Sequence, residues 1–232
     1  LAFGGKKDDK SASSSNQYAD TVTIGLKLAP TNLDIRNTAG SALDQILIGN
    51  VYEGIVARDS KNQVAPAIAS SWETSRDGLT YTFHLNKNMT FSNGDKLDAE
   101  DVAWSINELI AKGYHDADAL AAVSKVEAKD ADTAVITLKT SNSNLLWTLT
   151  GRAGLVFDKD AKYDLKTQAV GSGPYTVAKF VENSSITLKA NEKYWGKNKA
   201  KTPTVVVKYL ADDNAAVNAL KSGGVQDRKS VV

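Results

Sequence analysis

Residues 66–105 read PAIASSWETSRDGLTYTFHLNKNMTFSNGDKLDAEDVAWS, and the order of turns and periods in this stretch decides the fold. From Thr80 to Leu85 apolar residues alternate, with Tyr81, Phe83 and Leu85 on one side. That pattern predicts a strand with one buried face. Asp77-Gly78 turns the chain into this strand, and Asn93-Gly94, within Phe91 to Asp95, turns it again. At Asp98 the period changes. The Asp98 carboxylate can cap a first helical turn, and Glu100 and Asp101 suit the positive end of the helix dipole. Val102, Ala103, Ile106, Leu109 and Ile110 recur at helical spacing and predict a buried stripe, which Gly113 closes.

Outward from this centre the alternation of types continues. Thr21 to Leu28 places Val22, Ile24, Leu26 and Leu28 on one face and predicts a strand, ended by the loop Pro30, Thr31 and Asn32. Ser41 to Val51 carries Leu43, Ile46, Leu47 and Val51 at helical spacing, with Ser41 as cap and Gly54 past the end. Val126 and Ala128, then Ala134, Ile136 and Leu138, predict two strands joined near Asp130-Ala131-Asp132. Leu145, Leu146 and Leu149 suggest a short helix. Tyr175 to Phe180 and Ile186 to Ala190 predict a hairpin around Glu182-Asn183-Ser184. Val205, Val206, Val207 and Tyr209 predict a buried strand, and Asp213 to Leu220 a last helix before Gly223. Strands and helices mixed without a regular βαβ rhythm predict an α/β chain of mixed α+β character, and no internal repeat is visible.

Composition removes several classes of function. The 232 residues are 42% hydrophobic and 24% charged, and 28 Lys plus Arg against 27 Asp plus Glu leave a net charge of +1. No clustered cations offer themselves to phosphates, so no nucleic-acid partner is expected. No cysteine is present, which excludes disulfides, thiolate metal sites and Cys nucleophiles. Two histidines and one methionine leave few soft or imidazole ligands, so neither a metal site nor a cofactor is expected. Gly171-Ser172-Gly173 does not have the spacing of a nucleophile elbow or a phosphate loop. His84 and His115, the available bases, read as surface residues. Glu100 with Asp101 is a helix start and Asp130 with Asp132 a turn, neither of them a catalytic dyad. Trp72, Trp104, Trp147 and Trp195 read as core anchors. Asn88-Met89-Thr90 and Asn183-Ser184-Ser185 match the glycosylation triplet by its short pattern alone. From the residues, the expectation is an exported, non-catalytic binding module.

The ends read differently from the middle. Lys6 to Asn16, KKDDKSASSSN, has the composition of a flexible linker. Leu1 to Gly5 before it suits either the end of a signal-peptide apolar core or a plain chain start. Residues 224–232 fit no element. The triplets able to encode Asp227 to Val232 match the start of a sequencing adaptor, so those residues are expected to be read-through, with a genuine C-terminus as the alternative.

Eight blocks stand in a fixed order: Asn50 to Val56 (NVYEGIV), Pro66 to Trp72 (PAIASSW), Ser75 to Phe83 (SRDGLTYTF), Phe91 to Asp95 (FSNGD), Ala99 to Ser105 (AEDVAWS), Gly171 to Tyr175 (GSGPY), Asn191 to Trp195 (NEKYW) and Ala219 to Gly223 (ALKSG). Order and spacing resemble the family 5 extracellular solute-binding proteins of ABC importers, the oligopeptide, dipeptide and nickel binders, over Thr21 to Gly223. The sequence departs from that pattern at Leu33-Asp34-Ile35, where Leu-Asp-Pro is usual, in lacking a lipobox cysteine, and at Gly224-Val225-Gln226, where an acidic residue is expected.

The resemblance implies a periplasmic-binding-protein-like fold of type II, of which this is the first lobe. Residues 21–48 and 166–223 would form its sheet-based part, 49–165 a smaller inserted α+β domain, and 1–20 a signal-peptide remnant and linker. Trp72, Tyr81, Phe83 and Trp104 would build a satellite core in the insert. It also implies a monomeric receptor outside the cytoplasm, periplasmic or attached to the cell surface, that captures a peptide or similar solute and delivers it to ABC permease subunits. A nickel or oligosaccharide receptor is the alternative within the family. A surface hydrolase, or a chaperone- or adhesin-like surface protein, is the alternative outside it. The residues expected at the cleft are Asn32 and Asp34 in the loop after the first strand, Arg152 between two glycines as a partner for a carboxylate, and Ser172 with exposed donors.

Overall fold

The structure, a computed structural model, describes residues 20–27 and 29–209. In chain order its elements are β1 (Thr21–Leu26), α1 (Ser41–Leu47), β2 (Val56–Arg58), β3 (Val64–Pro66), β4 (Ala69–Thr74), β5 (Thr80–Leu85), α2 (Ala99–Lys112), β6 (Val123–Asp130), β7 (Thr133–Leu138), α3 (Leu145–Thr148), β8 (Tyr175–Val181), β9 (Ser185–Ala190) and β10 (Thr204–Tyr209). Two short 3-10 turns, Ala117–Leu120 and Arg152–Gly154, complete the described elements. The expected helix at Asp213 to Leu220, the linker and the two chain ends lie outside the described residues.

Two four-stranded sheets carry the fold. The first has the order β1-β10-β9-β8 and the second β4-β5-β7-β6, while β2 and β3 form a separate antiparallel pair. Every named pairing is antiparallel except β1 with β10, where Val22 lies opposite Val205 and Ile24 opposite Val207. Alternating burial follows from the alternating sequence. Tyr81, Phe83 and Leu85 of β5 and Ala134, Ile136 and Leu138 of β7 are buried, and threonines, His84 and Val135 take the other face.

Each sheet buries its apolar face in its own cluster. Ile24, Ile186, Leu188, Val205 and Val207 of the first sheet pack with Leu43, Ile46 and Leu47 of α1 and with Tyr52, Leu155 and Phe157. The second sheet packs with Val102, Ala103, Ile106 and Leu109 of α2. The chain passes from the first cluster to the second between Tyr52 and Ile55, and returns between Ala153 and Phe157.

The caps of α2 are those its sequence calls for. Glu100 N donates to the Asp98 carboxylate at 2.9 Å, and Asp98 N donates to Asp101 Oδ2 at 3.1 Å. Gly113, at φ 62°, ends the helix in the left-handed conformation. Ile110 departs from expectation: it is 37% exposed, because the stripe through Ile106 and Leu109 already fills the helix's contact with the sheet. Helix α1 is shorter than its apolar spacing predicted. Gly40, not Ser41, precedes it, and it ends at Leu47, where Ile48 turns extended and the N–H groups of Val51 and Tyr52 both reach the Leu47 carbonyl. Trp72 and Trp104 are half-buried, not central. Trp72 packs on the second cluster, whereas Trp104 packs on the first, so the expected satellite core contains Tyr81 and Phe83 but not Trp104.

Candidate functional site

Parallel strands β1 and β10 run their carboxyl ends to the same edge of the first sheet. Ligands of open α/β sheets bind in the crevice outside such ends, on the loops that leave them. The loop leaving β1 covers residues 29–40, and five kinds of contact fix it. Leu33 and Ile35 are buried in the first cluster. Leu33 N donates to the Lys166 carbonyl at 2.9 Å. Asn32 Oδ1 accepts from Asp34 N at 2.9 Å and from Thr38 Oγ1 at 2.7 Å, while Asp34 Oδ1 accepts from Arg36 N at 3.0 Å. Arg152 reaches in from the other side: Nη1 donates to the carbonyls of Ile35 and Thr38, Nη2 to that of Gly40, and Nε to Asp44. His115 N donates to the Arg36 carbonyl at 2.8 Å, which brings the turn after α2 alongside. The result is a polar loop set before any ligand arrives.

Of the residues expected at a cleft, Asn32 and Asp34 stand on this loop, half-buried, with their side chains shaping its turns. Arg152 meets the same loop, but it is 5% exposed and its guanidinium is taken up by Asp44 and three carbonyls. Ser172 lies elsewhere and is fully buried, which corrects the expectation of exposed donors there. Its Oγ donates to Glu53 Oε1 at 2.9 Å.

That contact belongs to a second polar cluster. Buried Glu53 also accepts from Trp195 Nε1 at 3.0 Å and from Tyr194 Oη at 2.7 Å. Burial pushes the Glu53 carboxyl above the usual glutamate range, against three hydrogen bonds that lower it. Backbone bonds tighten the same place: Gly173 N donates to the Val51 carbonyl at 3.0 Å and Tyr175 N to the Asn50 carbonyl at 2.8 Å. A Cβ on Gly171 would stand 2.0 Å from the Val51 oxygen, so only glycine fits. Three sequence blocks, around Asn50 to Gly54, Gly171 to Tyr175 and Tyr194-Trp195, are thus one interlocked joint.

Two residues at the β1 loop were missed by pattern reading. Arg36 places its guanidinium over the rings of Phe157, Tyr114 and Trp104, at 4.4, 5.2 and 5.8 Å from their centroids. Asp116, beside His115, holds φ at 69°, unusual away from glycine. Neither lies in a periodic element, so no spacing marked them. A concavity of about 420 Å³ lies between residues 167–170 and β8, lined by Gln168, Val170, Val177, Lys179 and Phe180 among others. Among the described residues no group of three or more His, Asp or Glu could hold a metal ion, and no helix is long and apolar enough to cross a membrane.

The model of the bacterial extracellular solute-binding proteins, family 5 Middle, matches residues 63–231. The chain belongs to this family. Protein XP55 of Streptomyces lividans is 30% identical to this family 5 chain over 216 residues, 89% of the chain and 38% of its own length. The dipeptide-binding protein DppE of Bacillus subtilis is 25% identical over 199 residues, 76% of the chain and 37% of its own length. A solved nickel ABC transporter structure from Bacillus halodurans superposes with a TM-score of 0.78 at 25% identity, covering 89% of the chain and 42% of that structure. The family 5 chain therefore spans about two-fifths of the length of the relatives it matches, and within that share its fold is that of one lobe of a type II binding protein.

Proposed function

We propose that this family 5 chain supplies one wall of the ligand cleft in a receptor outside the cytoplasm, and that the receptor captures short peptides and passes them to the permease of an ABC importer. The observation that carries the reading is the loop 29–40. It leaves the carboxyl end of a parallel strand pair and is held in advance by Arg152, by its buried Leu33 and Ile35, and by its own side-chain turns. A wall fixed before binding lowers the ordering cost that a ligand must overcome. Asn32 and Asp34 stand at the cleft edge in this reading, Arg152 acts through the loop backbone it positions, and Ser172 acts through its hydrogen bond to Glu53. Capture needs no covalent chemistry, only closure of a second wall over the solute. A peptide ligand is supported by the relative named for dipeptides and by a sequence with two histidines and no cysteine. Nickel is the second reading, favoured by the solved nickel transporter structure.

Calorimetric titration of the full-length protein with pooled di- to pentapeptides, and separately with nickel chloride, tests the proposal. Binding at micromolar concentration or tighter by the peptide pool supports it. Nickel binding without peptide binding overturns the peptide class. Peptide cleavage during the titration would overturn the receptor reading in favour of a hydrolase. This chain alone, with one wall, is expected to bind far more weakly, because burial of about 70–90% of a small ligand's surface needs both walls.

A further inference from the structure

The block Phe91 to Asp95, FSNGD, forms a turn that holds its own shape. Phe91 is buried, Gly94 N donates to the Phe91 carbonyl at 2.9 Å, and Asp95 N donates to Asn93 Oδ1 at 2.9 Å. Ser92 N ties the turn to the Gly171 carbonyl at 2.8 Å. Against the turn lies the segment 157–160, by which the chain returns to the first cluster. Phe157 N donates to Ser105 Oγ at 2.8 Å and Lys159 N to Asp101 Oδ1 at 3.1 Å. The Phe157 ring packs on Tyr52 and lies 4.4 Å from the Arg36 guanidinium of the β1 loop.

Asn93 joins turn and segment. Its Nδ2 donates to Asp158 Oδ2 at 2.9 Å and to Asp95 Oδ2 at 3.2 Å, so one amide bridges two carboxyls. Asp158 is buried and Asp95 exposed, and the two carboxyls also bond to each other. Carboxylates only accept, so a direct bond between two carboxyls requires a proton on one of them. Lys159, next to Asp158 in the chain, directs its ammonium to Asp160 at 3.0 Å and Glu100 at 3.9 Å. Asp160 acts on Asp95, and Asp101 and Asp158 act on each other, as further negative charges. Asp98 acts on Asp101, and Tyr163 brings a hydroxyl near Asp158. The bond to Asp158 and its charge raise the Asp95 carboxyl above the usual aspartate range. Burial raises Asp158, but the bonds from Asp95 and Asn93 outweigh it and hold Asp158 below that range.

We propose that Asp95, Asn93 and Asp158 form a proton-dependent clasp between the turn 91–95 and the return segment 157–160, closed while the two carboxyls hold one proton and loosened when both are ionised. A carboxyl raised in the folded state, as Asp95 is, contributes its stability at acid pH and loses it as pH rises through the folded value. The clasp therefore weakens toward neutral pH. It sits one residue from Phe157, which supports the β1 loop, so the cleft wall borders a joint that responds to the pH outside the cell.

Amide hydrogen-exchange protection of residues 92–95 in the full-length protein tests the clasp, compared between wild type and Asp95→Asn at each pH. The asparagine keeps a donor toward Asp158 throughout the range. Equal protection is expected at about pH 4, and protection about threefold or more lower in wild type at about pH 7. Asp95→Ala, which cannot close the clasp, is expected to be less protected than Asp95→Asn at both. A ratio of wild type to Asp95→Asn that stays constant from about pH 4 to pH 7 overturns the proposal. Because Asp101 titrates nearby, the comparison is repeated with Asp101→Asn in both proteins. A pH dependence that persists supports the clasp, and one that vanishes assigns the effect to Asp101 and overturns it. The readout needs no solute, so its failure is distinct from a failure of the peptide-receptor reading.

Discussion

Ser172 and Glu53, 119 residues apart in the chain, share a hydrogen bond of 2.9 Å inside the molecule. The bond joins the segment that leaves the first sheet's cluster to the segment that re-enters its edge strand, so sequence blocks far apart mark one joint. Glu53 there accepts three side-chain donors, from Ser172, Tyr194 and Trp195. Glu53→Ala leaves all three without an acceptor and is expected to cost about 3–5 kcal/mol. Glu53→Gln keeps one acceptor oxygen and is expected to cost less than half as much. Urea unfolding of both variants measures the difference, and equal losses would show that the hydrogen bonds are not what matters at this joint.

The same joint is closed to any side chain at Gly171 and Gly173, where an added Cβ would stand 2.0 Å and 2.4 Å from the carbonyl oxygens of Val51 and Asn50. Gly173→Ala is expected to destabilise by about 3 kcal/mol or more, since neither backbone can move without breaking its hydrogen bonds. A melting temperature within a degree or so of wild type would contradict this close approach.

How much of this was legible beforehand depended on periodicity. Strand β5 and helix α2 could be read because Tyr81, Phe83 and Leu85 alternate and because Asp98, the apolar stripe and Gly113 mark both ends of a helix. The end of α1 could not, since the apolar spacing runs on to Val51 while the backbone turns at Ile48 to carry Tyr52 into the core. Asn32 and Asp34 were placed by their position after a strand. The partners of Arg152 and Ser172 lie up to 119 residues away and Phe157 lies still farther from Arg36, and no local pattern encodes such contacts. Trp104 shows the same gap: its helix was plain, but its place under Arg36 against the first cluster follows from how the helix meets that loop.

Arg152 is the buried support of the β1 loop. Arg152→Met removes donors from the carbonyls of Ile35, Thr38 and Gly40, and is expected to cost about 3 kcal/mol. Amide hydrogen exchange should rise over residues 33–40 more than over β5 and β7. Uniform change across the chain would mean that Arg152 stabilises the fold at large and does not hold the loop in particular.

Burial pushes the Asp101 carboxyl from 3.8 to about 6, against the hydrogen bonds from Asp98 N and Lys159 N. A carboxyl whose folded value is raised contributes its stability below its unfolded range and loses it as pH rises through the folded value. Wild type should therefore lose stability relative to Asp101→Asn between about pH 4 and pH 7. Denaturant midpoints of both proteins across that window give the answer, and a constant difference between them would refute the shift.

The central claim is that residues 29–40 form a wall of the ligand cleft. A crystal structure of the full-length protein with its bound solute tests it most directly. The account predicts solute atoms within about 4 Å of the loop around Asn32 to Asn37. A solute seated instead in the concavity beside Gln168 and Phe180, with no contact to the β1 loop, would contradict it.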